Sequence, residues 1–259
     1  MKKLIFLAII SCCILPACLI NKNTNSKTTK IYETRLDSIN MFDSLRNRAI
    51  PVALYVPKTD KKIKKQKLVI VSHGYFANKQ GANKEYSYLT EFLAFKGYFV
   101  ASIQHELPTD DLIPFQGIPQ VVRRPFWDRG VKNILFVMSE LKKKYPDLDY
   151  KHLILIGHSN GGDMSMLFGQ EHPTLVDKII SLDNRRVAFP RTKHPKIYSL
   201  RSNDQLADDG VLPTPEEQKK YSTKIIQLKN TTHNNMDNSG NEEQKKEINN
   251  YILSFLNDR

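Results

Sequence analysis

Strands alternating with helices from about residue 50 onward predict an α/β protein, built on a mostly parallel sheet opened by antiparallel strands and covered by helices on both faces. Two observations carry this. The continuous apolar run at 68–71 and the apolar-rich runs at 98–103 and 152–156 have the length of strands buried on both sides. Between them, 85–95 and 126–144 place their apolar residues at helical spacing. With 259 residues the chain suffices for one substantial domain and is short for two.

The elements follow in order. Lys2 and Lys3 precede an apolar stretch, 4–10, that is too short to span a membrane as a mature helix. Leu15-Pro16-Ala17-Cys18 resembles the lipobox of bacterial lipoproteins, in which a small residue precedes a cysteine that is lipidated and becomes the new N-terminus. Ile9-Ile10-Ser11-Cys12 is a weaker rival, and an ordinary secretory signal is the alternative. All three cysteines (Cys12, Cys13, Cys18) lie in this segment, so the domain beyond it can form no internal disulfide. The resemblance implies an acylated Cys18 and hence a membrane anchor, each buried CH₂ contributing about 0.8 kcal/mol. Residues 1–18 thus read as signal peptide and 19–30 as a polar tether.

The folded domain is expected over 31–259. Strand signals open it, and 50–56 reads as an antiparallel edge strand, where Pro51 is tolerated. The lysine-rich run 61–67 is a solvated loop. A buried strand at 68–71 precedes a helix at 85–95, with Leu89, Phe92, Leu93 and Phe95 on its apolar side and Gly97 closing it. The strand 98–103 leads to a helix at 126–144, whose apolar face carries Val131, Ile134, Leu135, Met138 and Leu141. Strands at 152–156, 178–182, 196–200 and 224–228 and helices at 163–170 and 242–256 complete the order. In such sheets the active site lies at the carboxyl ends of the strands.

The balance of 39 Lys plus Arg against 27 Asp plus Glu gives a formal net charge of +12. Nucleic acid, an anionic membrane surface or an acidic substrate would each suit that excess. No DNA-reading helix or RNA-stacking motif accompanies it, so nucleic acid is not expected as a partner. No HExxH, EF-hand or CxxC pattern is present either, and no metal is expected.

The chemistry concentrates in Gly157-His158-Ser159-Asn160-Gly161-Gly162, directly after a buried strand and before a helical stretch. A nucleophile elbow needs a strand, a tight turn that lifts serine out of the chain, and a helix whose N-terminus faces the site. Glycines flank the serine because larger side chains would collide as the turn closes. A base must follow the last strands. Of seven histidines, only His233 has both the chain order and the loop for it; His105, His172 and His194 read as loop or surface residues.

From about residue 50 to its end the chain resembles the α/β-hydrolase superfamily. Within that it is similar to plasma-type platelet-activating-factor acetylhydrolases and their bacterial relatives, with dienelactone-hydrolase-like and polyester-hydrolase proteins as competing groups. The matching pieces are Ser72-His73-Gly74, Phe95-Lys96-Gly97-Tyr98-Phe99-Val100-Ala101, Gln104-His105-Glu106, the elbow, Ser181-Leu182-Asp183 and His233-Asn234-Asn235. The resemblance implies hydrolysis of carboxylic esters through an acyl-enzyme, without cofactor, on a small-molecule or lipid ester. It also implies an oxyanion hole from the backbone N–H groups of Tyr75 and Asn160, for which no particular side chain is required. His73 is then structural.

Two aspartates compete for the third place beside Ser159 and His233. Asp183 ends the strand 178–182, 24 residues after Ser159, while Asp204 follows the next strand, 29 residues before His233. Most α/β-hydrolases use the later strand; the acetylhydrolase-like group uses the earlier one, which points to Asp183. The segment 106–125 overhangs the expected site and offers Phe115, Phe126 and Trp127 as pocket residues. Seven of the 11 arginines fall between 123 and 201, which suits either ion pairs or an anionic substrate. Peptidase or amidase chemistry on the same triad, or an inactive hydrolase acting as an envelope binding protein, are the rival readings.

Overall fold

The structure is a computed structural model that describes residues 31–258. The signal-like segment, Cys18 and the tether lie outside the described residues. One eight-stranded sheet carries the fold, in the spatial order β1-β2-β4-β3-β5-β6-β7-β8. Its strands are β1 (Glu33–Asp43), β2 (Arg48–Lys58), β3 (Lys67–Ser72), β4 (Phe99–Ile103), β5 (Asp149–His158), β6 (Lys178–Leu182), β7 (Lys196–Arg201) and β8 (Lys224–Gln227). β1 pairs with β2 and β2 with β4 antiparallel; every other pairing is parallel. The helices are α1 (Ser87–Phe95), α2 (Pro119–Val122), α3 (Arg124–Lys144), α4 (Asn160–Glu171), α5 (Pro215–Tyr221) and α6 (Glu242–Asn257).

The apolar runs feed two cores, because successive side chains of a strand point to opposite faces. In β3, Leu68 and Ile70 join one core and Val69 and Val71 the other; in β5, Leu153 and Leu155 separate from Ile154 and Ile156 in the same way. α3 and α4 close the first face with Val131, Ile134, Met164 and Phe168. α1 and α6 close the second with Leu89, Leu93, Ile248 and Ile252. Each fully buried aliphatic side chain contributes about 1.5–3 kcal/mol. This two-sided burial holds the central strands rigidly enough to aim the loops at their ends.

Two expectations are corrected here. The strand containing Pro51 is antiparallel but is not an edge: β1 lies outside it. Pro51 is accommodated because it sits one residue past the last β2–β4 pair, Val52 with Ile103, and its carbonyl accepts the Gln104 N–H at 2.9 Å. A residue's N–H and C=O face the same flank of a strand, so the missing donor falls beyond that pairing and costs no bond to β1. The overhanging segment after β4 also contains a helix, α2, and α5 was not anticipated. The signal for α5 lay in Thr214-Pro215-Glu216-Glu217: Thr214 and Glu217 form a reciprocal capping box with proline at the start.

β3 to β8 are all mutually parallel, so the chain leaves them at one edge of the sheet. That edge receives His73, the Gln104-His105-Glu106 turn, Ser159, Asp183, Ser202 and, after β8, His233.

Candidate active site

Ser159 sits between β5 and α4 with φ 50° and ψ −117°, a left-handed φ that serine seldom adopts. Holding it there costs of order 1–3 kcal/mol, and close glycine packing supplies the restraint. A Cβ on Gly157 would strike the Gly161 carbonyl oxygen, and a Cβ on Gly161 would strike that of Ser72, so β5, α4 and β3 approach through bare backbone. The Ser159 N–H donates to the Leu182 carbonyl at 2.9 Å, tying the turn to β6.

The structure brings Ser159, His233 and Asp183 together. The Ser159 hydroxyl donates to His233 Nε2 at 2.9 Å, and His233 Nδ1, carrying its proton, donates to Asp183 Oδ2 at 2.6 Å. Asp183 is fully buried and has φ 59°. Its carboxylate also accepts the Ser202 N–H at 3.1 Å and hydroxyl at 2.6 Å, and faces the Arg201 guanidinium at 2.9 Å. Burial alone would raise the Asp183 pKa; the His233 hydrogen bond, the Arg201 charge and the Ser202 hydroxyl outweigh it and hold the group below the ordinary carboxylate range. Asp204, the competing acid, meets His233 at another atom: its Oδ1 accepts the His233 backbone N–H at 2.7 Å. It is carried there by the Asn203 N–H, which donates to the Thr231 carbonyl at 3.0 Å and joins the loops after β7 and β8.

The Gly74 N–H donates to the Tyr86 hydroxyl at 3.1 Å, and that hydroxyl donates to His158 Nδ1 at 2.6 Å. Tyr86 thereby clamps the turn after β3 to the elbow. Burial, with the neighbouring His233, holds His158 down to about 3, so its ring is neutral as it packs on His233 with centroids 4.6 Å apart. Among the described residues neither the Tyr75 nor the Asn160 amide has an acceptor. His73 is buried and held down to about 4 by that burial; its Nδ1 donates to the Gly74 carbonyl at 2.6 Å and its Nε2 accepts the His105 N–H at 3.0 Å.

Several expectations change. The Asn160 side chain is not idle: its Oδ1 accepts the Trp127 Nε1–H at 2.9 Å and its Nδ2 donates to Glu106 Oε1 at 3.0 Å, all three residues being buried. Burial pushes Glu106 up to about 7. His105 is a buried loop residue rather than a surface one, with its Nε2 against the Ser72 hydroxyl at 3.0 Å. Phe115 is 75% exposed and is held between the Tyr75 ring and the Arg123 guanidinium. Phe126 is half-buried under the Arg129 guanidinium. Trp127 forms a wall of a cavity of about 590 Å³ with Leu167, Val187 and Val211, and Ser159 does not line it.

Asp163, buried in the first turn of α4, was missed altogether. Its Oδ1 accepts the N–H groups of Arg186 at 2.9 Å and Val187 at 2.8 Å, bracing the chain that leaves Asp183 against the elbow helix. A carboxylate in the first turn after an elbow was the only sequence signal for it.

The strand order, the single antiparallel side and the serine turn after β5 together define the α/β-hydrolase fold. Solved structures agree. Esterase Est22 matches with a TM-score of 0.63 at 12% identity, over 86% of this chain and 81% of that one. A fungal esterase from Rhizomucor miehei matches at 0.61 and 12%, over 88% and 83%. A Klebsiella pneumoniae protein described as a dienelactone hydrolase matches at 0.59 and 15%, over 87% of this chain and 100% of its own. No protein-family model matches the sequence, and no curated sequence is similar to it. At these identities the likeness establishes the architecture: this chain has the α/β-hydrolase fold.

Proposed function

We propose that the protein hydrolyses carboxylic esters through an acyl-enzyme on Ser159. The observation that carries the reading is the contact chain from Ser159 through His233 to a buried, ionised Asp183, at 2.9 and 2.6 Å. The esterases among the structurally similar proteins support the same chemistry. In the proposed reaction Ser159 Oγ bonds to the substrate carbonyl carbon while its proton passes to His233 Nε2. The carbonyl electrons move to oxygen, and the Tyr75 and Asn160 N–H groups receive that oxyanion. As the intermediate collapses, His233 returns the proton to the departing alkoxide and the alcohol leaves. Water then attacks the acyl-enzyme, giving its proton to His233; the acid departs and Ser159 regains its proton. Asp183 fixes the His233 tautomer and stabilises the imidazolium formed in each half.

The test is turnover of a short activated ester. Ser159→Ala and His233→Ala should each lower kcat by about 10⁴ or more. Near wild-type turnover in Ser159→Ala would remove the assignment.

The envelope location belongs to this proposal too, and rests on the sequence before residue 31. We place the lipid anchor on Cys18, the cysteine that follows a small residue at the end of the apolar segment. Intact-mass measurement of membrane-extracted protein should give a mature chain that begins at acylated Cys18. A soluble chain cut at another residue would contradict it.

A further inference from the structure

Eight of the ten arginines among the described residues face a carboxylate. The two that do not, Arg123 and Arg185, lie within electrostatic reach of one another, Arg123 at the end of α2 and Arg185 two residues after Asp183. Arg123 ends α2; its Nε donates to the Pro114 carbonyl at 3.0 Å, and its guanidinium lies 5.2 Å from the Phe115 ring centre. One turn earlier, the Gln120 amide donates to the Arg186 carbonyl at 3.2 Å and to the Asp208 carboxylate at 2.9 Å. That clasp lays the end of α2 against the loop leaving Asp183, with Arg185 next to the clasped residue. The Arg185 carbonyl accepts the Asp208 N–H at 2.9 Å, and its guanidinium donates to Gln205, a neutral acceptor next to Asp204.

The pair is short of negative charge. Asp163 and Asp208 attract Arg123 at longer range, but neither pairs with it. One Asp163 oxygen is taken by the Arg186 and Val187 amides, and Asp208 is taken by the Arg186 guanidinium and Gln120. Burial first, then the like charges of Arg186 and Arg185, lower the Arg123 pKa. The charge of Arg185 also reaches His158, whose ring packs on His233. Two half-exposed guanidiniums that repel one another, one of them two residues from the proposed triad acid, gain most from a planar or tetrahedral oxyanion between them, which a guanidinium binds bidentately.

We propose that Arg123 and Arg185 form an anion subsite, so that the ester this protein hydrolyses carries a carboxylate or phosphate away from the scissile bond. The proposal rests on the ester-hydrolase reading and names its substrate class. Both arginines are specificity residues here, and Arg→Lys is not a conservative change at such a site because the fork is lost.

The experiment compares kcat/KM within two matched pairs of esters. In the carboxylate arm, 4-nitrophenyl hemiglutarate is set against 4-nitrophenyl valerate, of equal acyl length. In the phosphate arm, monobutyrylglycerol 3-phosphate is set against monobutyrylglycerol. In at least one arm the anionic member should be preferred by about tenfold or more at low salt, and the arm that responds identifies the anion. Arg123→Gln and Arg185→Gln should each lower that ratio, the double variant should bring it close to one, and the Lys variants should fall between. Each single variant reads the same ratio, so misfolding of the double variant, checked by thermal melting, leaves the measurement intact. Turnover of the neutral esters with no anionic preference, or a preference that survives both Gln changes, overturns the subsite and leaves the ester-hydrolase reading standing. No turnover of any of the four esters, together with no labelling by a fluorophosphonate, sinks both.

Discussion

Asp183 and Asp204 both hold His233, one at the ring and one at the backbone, and this division gives the two residues separable phenotypes. Asp183→Asn would offer an amide to Nδ1 and favour the wrong tautomer, which should cost on the order of 10⁴ in kcat. Asp204→Asn keeps an oxygen that can accept the His233 N–H, so its kcat should stay within about tenfold of wild type. Kinetics on the two folded variants decide the matter; collapse in Asp204→Asn with Asp183→Asn nearly intact would reverse the assignment. Chain order made Ser159 and His233 legible, since each follows a strand whose end the apolar pattern marks, and it narrowed the acid to Asp183 or Asp204, between which only the family resemblance favoured Asp183. What surrounds them was not legible. Arg201 and Ser202 reach Asp183 from the next strand, and Tyr86 reaches His158 across 72 positions. Only the strand order creates those meetings, and a local pattern holds no trace of it.

The elements that aim the site do so in pairs. β5 and α4 meet through glycines and set the serine turn; the loop after β6 is braced to α4 by Asp163. The segment between β4 and α3 joins the loop after β3 to the loop after β6, the two strands that flank β5. At one end the Ile113 N–H donates to the Tyr75 hydroxyl at 3.2 Å and the Asn78 amide donates to the Asp110 carbonyl at 2.7 Å. At the other, Gln120 reaches the Arg186 loop. Its prolines and exposed Leu112, Phe115, Ile118 and Val121 give the sequence no period to follow, so nothing in it marks α2. Helix interiors were recovered well because 126–144 and 242–256 repeat apolar residues at helical spacing. Strand identity at the sheet margin was harder. β1 alternates exposed and half-buried residues weakly, so Pro51 alone suggested an edge where the neighbouring strand supplies one.

At the scale of the molecule, buried titratable groups give stability a definite dependence on pH. His73 and His158 are held by burial to about 4 and about 3, and His105 well below its ordinary 6.5, so the folded protein keeps all three neutral while the unfolded chain protonates them below pH 6.5. Their contribution is present above 6.5 and lost as pH falls. Glu106 and Asp163, raised by burial to about 7 and about 6 from 4.5 and 3.8, act oppositely: they favour the fold at low pH and lose that contribution as pH rises through the raised values. Three protons against two leave about one more on the unfolded chain between pH 4.5 and 6. Stability should therefore rise by about 1.4 kcal/mol per pH unit there and level off near neutrality. Urea midpoints across that window check it, and a steady fall would show that the carboxyl groups dominate. The account as a whole turns on one atom, Ser159 Oγ. A fluorophosphonate probe followed by peptide mass spectrometry should place a single adduct on the peptide containing Ser159, absent in Ser159→Ala and strongly slowed in His233→Ala. An unlabelled wild-type protein, or an adduct on another serine, would contradict the account.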